Sequence, residues 1–174
     1  MRSAESAHDA AAVWDIATPS GPGLLPGVSM AGFSARTTEF FDLSVIPYPA
    51  VTVAVSLGEQ PFTVDDSNGR QQSGSVVVGL VPSGVRGRGR DIECLQVRLS
   101  PVIAHAVLGV SSELGGTVVS LDDLWGRDAA RTQEQLRAAR SWDDRFAIAQ
   151  AALVRRHEAA ERSSPKSPSC GGRW

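Results

Sequence analysis

Three histidines, two cysteines and a few adjacent acid pairs are the residues of this chain with evident chemistry, and their spacing limits what they can do. Imidazoles hold a metal only where they converge at about 2.1 Å, which in a β-barrel requires a His-x-His pair and a further His. His8, His105 and His157 fall in three different predicted regions, and no predicted strand contains a His. The reading is therefore of no metal site, no cofactor and no catalytic residue. The pairs Asp65/Asp66, Asp122/Asp123 and Asp143/Asp144 stand at predicted turns or helix starts. There, turn and cap energetics of ~0.5–2 kcal/mol explain them better than acid–base work. Glu39, Asp42 and Glu93 are the carboxylates nearest to predicted strands; together with His105 they are the candidate polar contacts to a ligand. The chain has no Gly-x-Ser-x-Gly elbow, phosphate loop or dinucleotide fingerprint. Arg86-Gly87-Arg88-Gly89-Arg90 reads as a solvated turn between two strands, with a basic patch as the competing reading.

The elements that must position these residues change character along the chain. Val13 to Ala17 is a short strand candidate, and the Pro- and Gly-rich stretch from Thr18 to Gly27 forbids a regular element longer than one turn. Phe33 to Leu43 reads as one strand or two interrupted ones. Ala50 to Leu57 alternates with period two, Val51, Val53 and Val55 on one face. Phe62 to Val64 is a short strand ahead of a turn at Asn68-Gly69. Val76 to Val81 is a continuous apolar run, consistent with a strand covered on both faces. Glu93 to Leu99 alternates again, with Leu95, Val97 and Leu99 facing in and Cys94, Gln96 and Arg98 sharing the other side.

After Pro101 the period shifts to helices. Val102 to Leu108 is bounded by Pro101 and Gly109, Ser120 caps a short helix closed by Gly126, and Asp128 to Ala139 is a polar helix. Ser141 caps the last helix, whose Trp142, Phe146, Ala149, Leu153 and Val154 share one face. Strands first and helices second give an α+β expectation: a small β-barrel or sandwich followed by three to four helices.

Length and charge bound the rest. At 174 residues the chain is one domain, able to bury roughly 70% of its unfolded surface without a staple. The organisation expected is a flexible 1–12, one domain over 13–158 (barrel about 13–100, helices about 101–158) and a flexible tail over 159–174. A formal charge of −2 gives no electrostatic case for gripping a phosphate backbone. All 17 basic residues except Lys166 are Arg, the usage of a GC-rich bacterial genome. Cys94 lies in an alternating run and Cys170 in the Ser/Pro/Gly tail, a pair that suits a reducing compartment better than a disulfide. With no secretory leader and no apolar stretch near ~20 residues, a cytoplasmic location is expected.

Two stretches together carry a resemblance. Val76-Val77-Val78-Gly79-Leu80 followed by Ile92 through Pro101 (Ile-Glu-Cys-Leu-Gln-Val-Arg-Leu-Ser-Pro) resembles the last strands of the regulatory domain in AraC-type transcription regulators. Ala106 to Val110, Val118 to Gly126 and Ser141 to Phe146 continue the pattern, and Leu153-Val154-Arg155-Arg156 closes it, so the resemblance covers about residues 13–156. It implies a cupin-like sensor fold. In that family two helix-turn-helix units follow the last matched helix; the residues after Arg156 read as a Ser/Pro-rich tail, so DNA recognition is not carried over.

The expectation is a non-enzymatic regulatory domain binding a small apolar organic molecule, unable to read DNA by itself. Val51, Val53, Val55, Leu95, Val97 and Leu99 are assigned to the barrel interior, which is closed core by default and a ligand pocket if hollow. The Trp142/Phe146/Leu153 face either packs on its own barrel or serves a homodimer. The competing function is a cofactor-independent cyclase or isomerase, which needs only positioning and a few polar groups.

Overall fold

The computed structural model of the chain describes residues 14–36, 40–45, 49–66, 68–80, 85–109 and 117–164. In chain order the strands are β1 (Trp14–Ala17), β2 (Val28–Ala35), β3 (Phe41–Val45), β4 (Val51–Ser56), β5 (Thr63–Asp65), β6 (Gln71–Ser73), β7 (Val76–Val78), β8 (Val85–Gly89) and β9 (Ile92–Leu99). Helix α1 (Pro101–Leu108) follows, then β10 (Val118–Ser120), α2 (Leu121–Trp125), α3 (Arg127–Ala138) and α4 (Trp142–Ser163). Residues 1–12, Glu39, Cys170 and the tail from residue 165 lie outside the described residues.

The strands form two antiparallel sheets, ordered β1-β2-β9-β4-β7-β10 and β3-β8-β5-β6. Among the described residues, the helices pack on the first sheet, so the fold is α+β in three layers: helices, six-stranded sheet, four-stranded sheet. β9 sits at the centre because it alternates cleanly over eight residues and finds a partner on each side. Leu95 pairs with Gly32 of β2 and Val55 of β4, and Leu99 with Val28 and Val51. Residues directly opposite each other in a ladder share a face, so Val28, Met30, Val51, Val53, Val55, Val77, Leu95, Val97 and Leu99 all lie on one side of the sheet.

That side is the helical one. Leu95 and Leu99 are fully buried, packed with Val107 and Leu108 of α1, Leu121 and Trp125 of α2, Leu136 of α3, and Phe146, Ala149 and Leu153 of α4. A smaller second core (Phe62, Val64, Val76, Val85, Ile92 and Val118) fills one end of the space between the two sheets. The face Trp142/Phe146/Leu153, expected either to pack on its own barrel or to serve a homodimer, packs within the chain: Phe146 and Leu153 are buried in its own core.

Caps and turns set the helix boundaries. Ser141 Oγ accepts from Asp144 N–H at 3.1 Å and Ser120 Oγ from Asp122 N–H at 3.3 Å, each satisfying an amide that the helix start leaves without a partner. Pro101 stands at the first turn of α1, and Gly109 ends it with φ +69°. In the β5–β6 hairpin, Asp66 Oδ1 accepts from both Asn68 and Arg70 N–H at 2.8 Å, and Gly69 takes φ +79°.

Four sequence expectations are corrected. Arg86 to Arg90 is not a turn: Val85 to Gly89 is β8, paired with β3 on one side and β5 on the other. The alternation that reads as a flexible loop is a strand period, with glycine on the inner face and arginine on the outer. The outer arginines are paired, Arg86 with Asp42 at 3.2 Å and Arg88 with Asp65. The strand expected from Phe33 begins earlier, at Val28, and β6 and β10 are added. Finally, α4 continues through Ser163, so residues 159–163 are helix rather than tail.

Candidate functional site

The six apolar residues assigned to a barrel interior are buried on the other side of their sheet. Val51, Val53, Val55, Leu95, Val97 and Leu99 lie under the helices, not between the sheets. Four of them, Val53, Val55, Leu95 and Val97, border a void of only about 20 Å³ with Trp125, Leu136 and Leu153, too small for an organic ligand. Period-two alternation defines two faces but not which one a later helix will cover.

The opposite face of the same strands is different in kind. By register it carries Ala31 and Phe33 from β2, Cys94, Gln96 and Arg98 from β9, Thr52 and Ala54 from β4, and Val78 from β7. All of these are half-buried, whereas their neighbours facing the helices are almost all fully buried. Gln96 and Thr52 side chains have no hydrogen-bond partner among the described residues. A polar group left in a closed core costs about 1–3 kcal/mol. A half-buried carboxamide and hydroxyl are therefore expected where water or a ligand has access.

Glycine on β8 provides the room opposite. Gly87 pairs with Val64, a buried residue of the second core, so its missing side chain is on the inner face. A Cβ there would meet nothing within 4 Å. At Gly89, two residues on, a Cβ would lie 2.9 Å from Ile92 Cδ1 and 3.2 Å from Phe62 Cβ. The inter-sheet space is thus closed at the Gly89 end, while around Gly87 no described atom lies within 4 Å of where a Cβ would stand. It presents an apolar floor with polar positions at Thr52, Gln96 and Arg98, a combination typical of small-molecule sites.

Cys94 borders this space. Burial pushes its thiol from the ordinary 9.0 up to about 12, so it is a neutral, poorly nucleophilic group near pH 7.

The remaining sequence candidates are dispersed. Asp42 points to solvent on the outer face of the four-stranded sheet and pairs with Arg86. Glu93 is on the helical side of β9, in an ion pair with Arg145 of α4. His105 is exposed on α1, in the helical layer. The structure therefore brings none of these three into the inter-sheet space. Gln96, Arg98 and Thr52, which it does bring together, were distinguishable from sequence only as the polar half of each alternating strand; Gly87 gave no signal once β8 was read as a turn. Among the described residues, no group of three His, Cys, Asp or Glu is placed to hold a metal ion, and no helix is long and apolar enough to cross a membrane.

No protein-family model matches the chain, and no curated protein matches it. Similar solved structures include an RmlC-like cupin protein from Desulfovibrio desulfuricans, at 13% identity and TM-score 0.37 over 57% of this chain and 96% of that one. The AraC-like transcriptional activator CuxR is similar at 12% identity and TM-score 0.44, over 90% and 65% of the two chains. An apo ToxT variant from Vibrio cholerae is similar at 6% identity and TM-score 0.47, over 81% and 58%. The chain spans less than two thirds of the length of either of the last two. At these scores and identities the likenesses carry no argument about what the chain binds or does.

Proposed function

We propose that this chain is a non-enzymatic regulatory domain of the AraC sensor type, whose small organic ligand occupies the space between the two sheets around Gly87. The observation that carries the reading is an asymmetry of β9 and β4: Val51, Val53, Val55, Leu95, Val97 and Leu99 are sealed under helices, while Thr52, Ala54, Cys94, Gln96 and Arg98 opposite are half-buried, with no hydrogen-bond partner for the Thr52 and Gln96 side chains among the described residues. The resemblance of the stretches around Ile92–Pro101 and Val118–Gly126 to AraC-type sensor domains supports the regulatory part. The lining narrows the ligand from a purely apolar molecule to one with an apolar body and a polar group that reaches Gln96 or Thr52. Sequence-selective DNA binding is not part of the proposal. Arg86, Arg88, Arg145 and Arg156 are each matched by a carboxylate, and the net charge is −2.

The test uses anilinonaphthalene sulfonate, an aromatic body with one polar head, on the natively folded protein. The expected result is saturable fluorescence enhancement at one site, with affinity reduced at least tenfold by Gly87→Leu and several-fold by Gln96→Leu. Native mass spectrometry of freshly purified protein checks for a co-purified ligand. Absence of both native-state dye binding and bound mass, or dye binding indifferent to Gly87→Leu, overturns the proposal.

A further inference from the structure

A second cavity lies apart from the inter-sheet space, on the helical side of the fold. It has a volume of about 220 Å³, is partly open to solvent, and is bordered by the Pro/Gly-rich segment before β2, the start of β2 and one face of α4. Its walls are mostly apolar (Leu25, Val28, Met30, Leu153 and Val154), with Ser29 of β2 also on the border. The one polar side chain from α4 is Gln150, whose carboxamide has no hydrogen-bond partner among the described residues.

The sequence explains why this space stays open. Pro19, Pro22 and Pro26 prevent the segment from joining either sheet or helix. Gly23 stands where a larger side chain would enter the space; a Cβ there would sit 3.9 Å from Gln150 Nε2 and 3.8 Å from the Val28 carbonyl. Both are ordinary contact distances, so nothing in the backbone or the packing demands glycine there. Leu24 is 70% exposed beside the cavity, a large apolar side chain on the surface where solvent alone gives it no stabilising contact.

We infer that this cavity is a binding site for a small uncharged organic molecule of bicyclic size, with a single hydrogen-bonding group received by Gln150. Size sets the first part: a dry cavity of about 150 Å³ takes benzene, and this one is about half as large again. The walls set the second: they contain no charged side chain, so an ion entering would lose hydration without a counter-charge. A carboxamide offers one acceptor and one donor face, and so accommodates an N–H, a hydroxyl or a carbonyl.

Indole is the probe, with benzothiophene as the isostere lacking the N–H, and binding is read by calorimetry on the full chain. The expected result is one saturable indole site, about five- to tenfold tighter than benzothiophene. Gln150→Leu should remove that preference while benzothiophene binding persists. Gly23→Leu should abolish both, with the far-ultraviolet spectrum unchanged, and Gly87→Leu should alter neither. No saturable indole binding, equal affinity for both probes, or loss with Gly87→Leu but not with Gly23→Leu overturns the inference. The last outcome would assign the probe to the inter-sheet space, so the two proposals fail separately.

Discussion

Gly32 is the position where one added methyl group should do the most damage. It lies on the helical face of β2, opposite Leu95, with the Trp142 ring packed directly on its backbone. A Cβ at this position would stand 2.7 Å from Trp142 Cδ2, about 1 Å inside the ordinary carbon–carbon separation of about 3.5–4.0 Å. The ring has little freedom to retreat. It stacks on Phe146 at 5.9 Å between centroids, and the Arg145 guanidinium lies 4.6 Å from its centre. Arg145 is itself tied to Glu93 and donates from Nε to the Leu136 carbonyl at 3.1 Å. Overpacking typically costs about 1–3 kcal/mol, and these restraints place Gly32→Ala near the top of that range, at about 3 kcal/mol. The backbone offers no objection of its own, since Gly32 is not among the positive-φ glycines. With the ring removed by Trp142→Ala, the same change should become neutral or stabilise by ~0.4–1 kcal/mol through the unfolded chain. A double-mutant cycle in urea, with midpoints read at constant m, should thus give a coupling of about 3–4 kcal/mol. Trp142→Leu serves as the second background where the alanine variant does not fold. A cost for Gly32→Ala below about 0.5 kcal/mol, or an equal cost in both backgrounds, would refute the reasoning.

Two further predictions follow from the Cys94 thiol and the start of α4. With its folded pKa raised from 9.0 to about 12, Cys94 stays protonated in the folded chain while the unfolded chain loses that proton first. Its contribution is fully present below about pH 9 and is lost as pH rises toward 12, at about 1.4 kcal/mol per unit. Urea unfolding at pH 8 and at pH 10 should show a steeper loss for the wild type than for Cys94→Ala, and parallel losses would count against a buried thiol. Ser141→Ala removes the side-chain acceptor for Asp144 N–H and should lower stability by ~0.5–2 kcal/mol, measured by thermal unfolding, while Ser141→Asp should retain most of it.

Much of the fold is legible in the residues themselves. β4, β7 and β9 carry apolar or strictly alternating runs, and α1, α2 and α4 are bracketed by Ser, Pro and Gly signals that the structure uses as caps. What escaped has a common cause: the signal lies in another part of the chain. β8 looks like a loop because glycine has low strand preference when nothing is known of its neighbours, yet its glycines are accommodated by Ile92 and Phe62 at one end and by open space at the other. β10 is three residues long and exists because β7 presents an edge to it. The six residues assigned to a barrel interior fall on the helical face for the same kind of reason. Leu95, Val97 and Leu99 announce a buried face, but only helices encoded after Pro101 decide that this face is the sealed one.

β9 keeps these two demands apart within a single strand of eight residues. Leu95, Val97 and Leu99 are locked into the helical core, where a substitution is felt by α1 through α4 together. Cys94, Gln96 and Arg98, interleaved between them, border the space between the sheets and carry little of that packing. A change at Cys94, Gln96 or Arg98 bears on the space between the sheets while leaving the helical core in place; a change at Leu95, Val97 or Leu99 tests survival first. The strand is in effect a comb with two sets of teeth, one set bearing on the space between the sheets and the other holding the helical core.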